Sequence, residues 1–231
     1  MENFVIAITR TSGSGATSIG RILAKNLGVE LYDRNLLRLA SDDSGISQEL
    51  FARADEDQKQ SLLFRVSQKV YKGGVIPPER EDFTSNNNLF NYQAKVLQEL
   101  ADVSSYVVIG RAADYVLRDK PNLVRVFIYA SREKCIEKEM NRQKIDWKRA
   151  DRFISKTDKY RRDYYRYFTG QEWENMRNYD LCINTTALTF EQAAKAMFSG
   201  RPFPIPGKYG IMAKYKRERN CTNVGKTGIY F

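Results

Sequence analysis

Residues 4–9, Phe-Val-Ile-Ala-Ile-Thr, form a short apolar run that feeds straight into Arg10-Thr-Ser-Gly13-Ser14-Gly15-Ala16-Thr17. An amphipathic stretch, residues 17–27, follows with Ile19, Ile22, Leu23 and Leu27 at core spacing. An unbroken apolar run ending in a glycine turn reads as a strand buried on both faces, and the 3.6-residue spacing after it reads as a helix. Strand, glycine turn and helix together make the unit from which helix-flanked parallel sheets are built. This one segment therefore narrows the chain to an α/β architecture.

The alternation continues downstream. Further strands are predicted at 29–32, 106–109, 124–129 and 181–183, with helical patterns over 35–102, 131–168 and 190–198. The region 35–102 is broken near 42–45 and again at 72–88, where Gly73-Gly74, Pro77-Pro78 and Asn86-Asn87-Asn88 make a connection too long for an ordinary turn, either mobile or functional. Thr189 with Gln192 three residues later predicts a capping box on the last helix. At 231 residues the default is one domain around one substantial core.

The chain contains no histidine, which excludes Ser-His-Asp and Cys-His nucleophiles, His-ligated zinc and histidine proton shuttles. Chemistry is left to carboxylates, arginine and lysine, backbone amides or a bound metal. Cys135, Cys182 and Cys221 are odd in number, far apart and without a CxxC pair, which speaks against a disulfide framework and for a reducing compartment. Residues 4–8 are too short for a signal-peptide core and no other run would span a bilayer, so the expected location is cytoplasmic.

The net charge is +10, and its distribution matters more than its total. Residues 201–231 hold seven cations against the single acid Glu218, a net +6, and open with the proline-spaced Arg201-Pro-Phe-Pro-Ile-Pro206. A nearly balanced body, residues 1–200, thus ends at a basic tail. The tail reads as a solvated or subunit-packing extension before it reads as a nucleic-acid contact.

The glycine turn carries the first chemical signal. Backbone N–H groups there point into one concavity, and the following helix N-terminus adds positive potential for a phosphate. Against the phosphate-loop pattern GxxxxGK[ST], Gly15 takes the second glycine and Thr17 the hydroxyl that would hold magnesium, but Arg10 replaces the first glycine and Ala16 the lysine. A dinucleotide-binding turn competes, with Asp33 at the end of the second strand as the ribose acid. Against it, Ser18 replaces the third glycine and the chain has no Tyr-x-x-x-Lys pair.

Two further constellations stand out. Lys148, Arg149, Arg152, Lys156, Lys159 and Arg166 share roughly a 100° sector of one helix, with Phe153, Thr157, Tyr160, Tyr164 and Tyr167 on the neighbouring face. That row is either a solvated surface held by local pairs such as Asp158 with Arg162, or a lid whose arginines close on phosphates. Gly110-Arg111 ends the third strand at the edge where parallel sheets bind ligands. Arg111 with Asp114 either grips a phosphate or a base, or opens a helix as an ion pair.

Taken together, these segments resemble the cytidylate kinase-like family of P-loop nucleoside monophosphate kinases. The likeness rests on Ile8-Thr9-Arg10 leading into Gly13-Ser14-Gly15, on Leu31-Tyr32-Asp33-Arg34, and on Val108-Ile109-Gly110-Arg111-Ala-Ala-Asp114. It also rests on Asp158-Lys159-x-Arg161 with Tyr164-Tyr165-x-Tyr167, on Thr169-Gly170-x-x-Trp173, and on Tyr179-Asp180-Leu181-x-Ile183-Asn184-Thr185. It covers about residues 4–198 and leaves out the tail.

The resemblance implies a three-layer α/β fold of P-loop kinase type: a five-stranded parallel sheet with a monophosphate-binding helical insertion over about 35–102 and a lid over about 141–177. It implies that Gly13, Ser14, Gly15, Ala16 and Thr17 surround the ATP phosphates, with magnesium on Thr17. Asp33, Arg34, Arg111 and Asp114 would lie near the acceptor, and Arg10, Arg161, Arg162 and Arg166 would serve the transfer. The spacing does not decide which of Arg161 and Arg162 is the lid's main phosphate contact. Arg34 stands where true cytidylate kinases carry a serine. The implied activity is ATP- and magnesium-dependent phosphoryl transfer to a nucleoside monophosphate, CMP or dCMP first. The alternative is a non-catalytic nucleotide-binding regulator whose basic tail contacts a partner or nucleic acid.

Overall fold

The computed structural model of the chain describes residues 3–33, 35–56, 74–78, 80 and 82–198. Arg34 and the basic tail lie outside them. Five strands, β1 (Val5–Arg10), β2 (Glu30–Tyr32), β3 (Tyr106–Ile109), β4 (Leu123–Tyr129) and β5 (Leu181–Asn184), form one parallel sheet in the order β2-β3-β1-β4-β5. Each predicted strand is present within one residue at either end.

β1 is central because both its faces are apolar. Phe4, Ile6 and Ile8 enter the layer formed with α1 (Ala16–Leu27) and α8 (Phe190–Phe198). Val5 and Ala7 enter the opposite layer, shared with α2 (Leu36–Ser44), α4 (Asn86–Val103), Tyr165 and Phe168. Alternate residues of a strand point to opposite faces, so helices can pack on both sides of this sheet. α1 buries Ile19, Leu23 and Leu27 completely. It closes at Gly28, whose left-handed backbone returns its N–H to the carbonyls of Ala24 and Lys25.

The insertion between β2 and β3 holds α2, α3 (Gln48–Glu56) and α4. Asn88 clips the described part of the long connection to α4: its amide oxygen accepts the Ile76 N–H at 2.6 Å and its amide nitrogen donates to the Ile76 and Phe83 carbonyls. A fully buried amide with its bonds satisfied fixes that segment.

The charged stretch 131–168 is two helices, α6 (Arg132–Gln143) and α7 (Trp147–Thr169). Left-handed Lys144 ends the first, and Asp146 starts the second by accepting the Arg149 N–H. The predicted capping box opens α8: Gln192 N–H donates to Thr189 Oγ1 at 3.1 Å and Thr189 N–H to Gln192 Oε1 at 2.9 Å. No described helix is long and apolar enough to cross a membrane.

Candidate active site

The connections leaving β1 and β3 run to opposite faces of the sheet. β1 continues into α1, while β3 continues into α5 (Ala113–Val116), which packs in the other layer. Neighbouring strands whose connections diverge leave a crevice at their carboxyl ends, where open parallel sheets bind ligands. One wall of this crevice is the glycine turn and the other is the Gly110-Arg111 turn.

The glycine turn is tightly enclosed. Gly13 has φ +78, and a Cβ there would lie 2.6 Å from the Cys135 carbonyl oxygen on α6; Gly15 has φ +86 and faces the Phe190 ring. Only glycine meets both the left-handed backbone and the close approach. The buried Ser14 carbonyl accepts Thr185 Oγ1 at 2.8 Å and Lys138 Nζ at 3.4 Å. That carbonyl and the Gly15 N–H belong to one peptide, so these donors fix the direction of the amide. Thr11 Oγ1 is the buried side-chain oxygen left without a hydrogen-bond partner among the described residues.

Ala16 is buried in the first turn of α1, so no cation comes from that position. The Lys138 ammonium reaches this turn through the Ser14 carbonyl and lies 5.0 Å from the centre of the Phe190 ring, its pKa lowered by burial. Its position within the mixed charges of α6 gave no hint of this placement. Thr17, half-buried on the same turn as Ala16, offers a hydroxyl oxygen. Among the described residues no cluster of three acids could cage a metal. A lone hydroxyl beside a phosphate loop suits magnesium, which draws most of its ligands from phosphate oxygens and water.

On the opposite wall, Gly110, Arg111 and Ala112 are all left-handed, with φ +76, +63 and +49. Two adjacent non-glycine residues in that region carry strain that surrounding structure must hold, a feature concentrated at functional sites. Arg111 is 8% exposed, and its Nη1 donates to Gln93 Oε1 of α4 at 3.4 Å. Gln93, itself buried, was not singled out from the sequence.

Asp114 is turned into the core rather than toward the crevice. It accepts the Tyr165 hydroxyl of α7 at 2.6 Å and the Thr9 hydroxyl of β1 at 3.4 Å. Burial pushes its carboxyl up to about 6 against these bonds and the charge of Arg125. Its role is to pin α7 to the sheet.

Arg10 and Arg161 are brought to the loop. The Arg10 guanidinium lies against Gly110, bridging the two walls. Arg161 Nη1 reaches the Arg10 carbonyl at 3.4 Å and Asp158 Oδ1 at 3.1 Å, and Asp158 also accepts the Ser12 N–H at 2.8 Å. Burial lowers the Arg161 pKa, opposed by the charges of Asp158, Glu139 and Asp33, so Asp33, just past the end of β2, lies within electrostatic reach of Arg161.

Arg162 and Arg166 are not brought there; they pair with Glu174 at 2.9 Å and Glu172 at 3.5 Å beyond the helix. Asp158 thus pairs with Arg161, not Arg162. The buried face of α7 is Ala150, Ile154, Tyr165 and Phe168, while Lys148, Arg149, Arg152, Lys156, Lys159 and Arg166 are exposed. That sector is centred opposite the Asp158–Arg161 face, because a 100° step per residue separates them by about half a turn.

The sequence model of the cytidylate kinase-like family matches residues 5–187. No curated protein matches the chain. A crystal structure of an uncharacterized protein from Eubacterium ventriosum aligns with a TM-score of 0.62 at 23% identity, over 85% of this chain and 97% of that one. Shikimate kinase from Bacteroides thetaiotaomicron aligns at 0.48 and 13% identity over the same shares of the two chains. With this sheet order, this strand–loop–helix unit and most of its length matched, the chain has the P-loop kinase fold and belongs to the cytidylate kinase-like family.

Proposed function

We propose that the chain transfers the γ-phosphoryl group of ATP to a nucleoside monophosphate, with CMP or dCMP the first candidates. An acceptor phosphate oxygen attacks the γ-phosphorus, the bond to the β–γ bridging oxygen breaks, and ADP leaves beside a nucleoside diphosphate. The observation carrying this reading is the pairing of walls: an amide-lined turn at the end of β1 and a buried arginine at the end of the adjacent β3, bridged by Arg10.

In this reading the N–H groups of 13–17 hold the donor phosphates and Arg111, oriented by Gln93, holds the acceptor phosphate. Arg10 and Arg161 sit where charge spreads during transfer, which for phosphoryl transfer is chiefly a matter of positioning and electrostatic stabilisation. Asp33 borders the acceptor side. The acceptor oxygen is already ionised, so no histidine is needed. Thr17 is the residue that would hold magnesium, which when bound neutralises donor phosphate charge. The preference for cytosine rests on family likeness alone. Incubation with ATP, magnesium and a panel of nucleoside monophosphates tests the reading; absence of any diphosphate above a blank refutes it for those acceptors.

The buried Ala16 favours a second reading, a nucleotide-binding regulator without turnover. Tight ATP binding by calorimetry with no product would select it, and loss of nucleic-acid binding on deletion of 201–231 would assign the tail to a partner.

A further inference from the structure

A carboxylate sits on the phosphate loop. Asp158 Oδ1 accepts both the Ser12 N–H and Arg161 Nη1, and Arg161 returns to the Arg10 carbonyl, closing a ring between the first three loop residues and one turn of α7. The Asp158 and Arg161 side chains are 13% and 23% exposed, so both charges are largely desolvated. Burial raises the carboxyl pKa and lowers that of the guanidinium, and each charge favours the ionised form of the other. A buried ion pair seldom stabilises a fold more than apolar packing of the same shape would. Its placement on an anion-binding turn points to a use beyond stability.

Amides in such a turn attract phosphoryl oxygens for the same reason that they attract this carboxylate. Two negative groups cannot take one N–H. The C-terminal half of α7 is fastened separately: Tyr165 bonds Asp114, and the Phe168 ring stacks on Phe90 with centroids 4.0 Å apart. On the other side of the Asp158–Arg161 turn Ala150 and Ile154 pack on Cys135 and Ile136 of α6, so the helix stays in place and the Asp158 carboxylate leaves Ser12 by rotation of its own side chain.

We propose that Asp158 is an internal anion that latches α7 onto the phosphate loop, and that donor phosphate displaces it from Ser12. The proposal rests on residues 13–17 being the donor loop and extends the donor contact to the adjoining Ser12 N–H. Displacement takes the carboxylate away from the loop and turns the Arg161 guanidinium from an internal partner to the phosphate oxygens. The latch sets a threshold: a weak monoanion does not open it, whereas a polyphosphate gains the loop amides and Arg161 together.

The test uses inorganic triphosphate, so it depends neither on ATP nor on turnover. Calorimetry is run on the full-length wild type, Asp158→Asn and Asp158→Ala, each checked for a cooperative thermal transition. Hydrogen exchange of the Ser12 amide is measured without ligand. A charge-assisted hydrogen bond is involved, so both variants should bind triphosphate about 10-fold or more tightly than wild type. The Ser12 amide, protected in the wild type, should exchange at least about 10-fold faster in Asp158→Ala. Equal or weaker triphosphate binding by the folded variants overturns the latch, as does an unprotected wild-type Ser12 amide or triphosphate that binds none of the three proteins. A protein that passes this test yet makes no diphosphate loses the kinase reading and keeps the latch.

Discussion

The guanidinium of Arg10 lies against the backbone of Gly110, so a Cβ added at Gly110 would sit 3.3 Å from Arg10 Cζ and closer still to its Nη1. The residue that leads into the glycine turn is thus in contact with the residue that precedes Arg111, and the two walls of the crevice are set against each other through one side chain.

Gly110→Ala should be costly twice over. At φ +76 a Cβ costs about 1–2 kcal/mol of backbone strain, and the methyl group also pushes Arg10 aside. Chemical denaturation should show a loss of about that size. In the proposed reaction, turnover should fall further than stability alone explains. A variant with wild-type stability and turnover would show that the contact is incidental.

Arg111→Ala should leave the fold cooperative and raise the KM for the acceptor while sparing that for ATP. Truncating a buried charge-assisted contact to phosphate typically costs about 3 kcal/mol, or on the order of 100-fold in kcat/KM. Gln93→Leu should weaken acceptor use in the same direction by a smaller factor, since it removes one group that orients the guanidinium and leaves the charge in place. Steady-state kinetics with each substrate varied separately distinguishes the two effects.

The arginines of α7 should divide sharply. Arg161→Ala removes the one α7 arginine that reaches the loop and should lower turnover on the order of 10- to 1,000-fold. Arg162→Ala and Arg166→Ala break exposed pairs with Glu174 and Glu172, so stability should change by at most about 1 kcal/mol and turnover by little. Equal losses in all three variants would mean that α7 turns as a whole during the reaction.

Asp114 should imprint a pH dependence on stability. Its carboxyl has an ordinary pKa of 3.8 and is pushed up by burial to about 6 in the folded chain. Below about pH 4 it is protonated in both states. Between about pH 4 and 6 the folded chain keeps a proton that the unfolded chain releases, so this group's contribution becomes less favourable as pH rises, and its full cost of about 3 kcal/mol is present above that window. Asp114→Asn can still accept the Tyr165 hydroxyl bond but does not titrate. Relative to wild type it should gain stability progressively from pH 4 to pH 6.5, as read by urea unfolding; parallel profiles would contradict the assignment.

The sheet was legible because its strands are apolar on both faces and punctuated by glycine, as Ile6, Val108 and Ile128 illustrate. The glycine turn was legible because its glycines stand between a strand and a helix. The working face of α7 was not. Six exposed cations drew attention to the solvent side, whereas the side that meets the loop carries one acid and one arginine, and only tertiary packing separates Arg161 from its neighbour Arg162. Lys138 and Gln93 were illegible for a related reason: a lysine on a charged helix and a glutamine on an amphipathic one acquire meaning only from what the fold places opposite them. Asp114 was read as an acceptor contact because it follows Arg111 by three residues, but the short helix turns it inward to Tyr165.

The most direct measurement of the central claim is single-turnover transfer from γ-labelled ATP, with magnesium and excess CMP or dCMP, to wild-type protein and Arg111→Ala. The account predicts labelled CDP or dCDP forming with the wild type and its rate falling on the order of 100-fold in the variant. No labelled diphosphate with any nucleoside monophosphate, or equal rates in the two proteins, would contradict it.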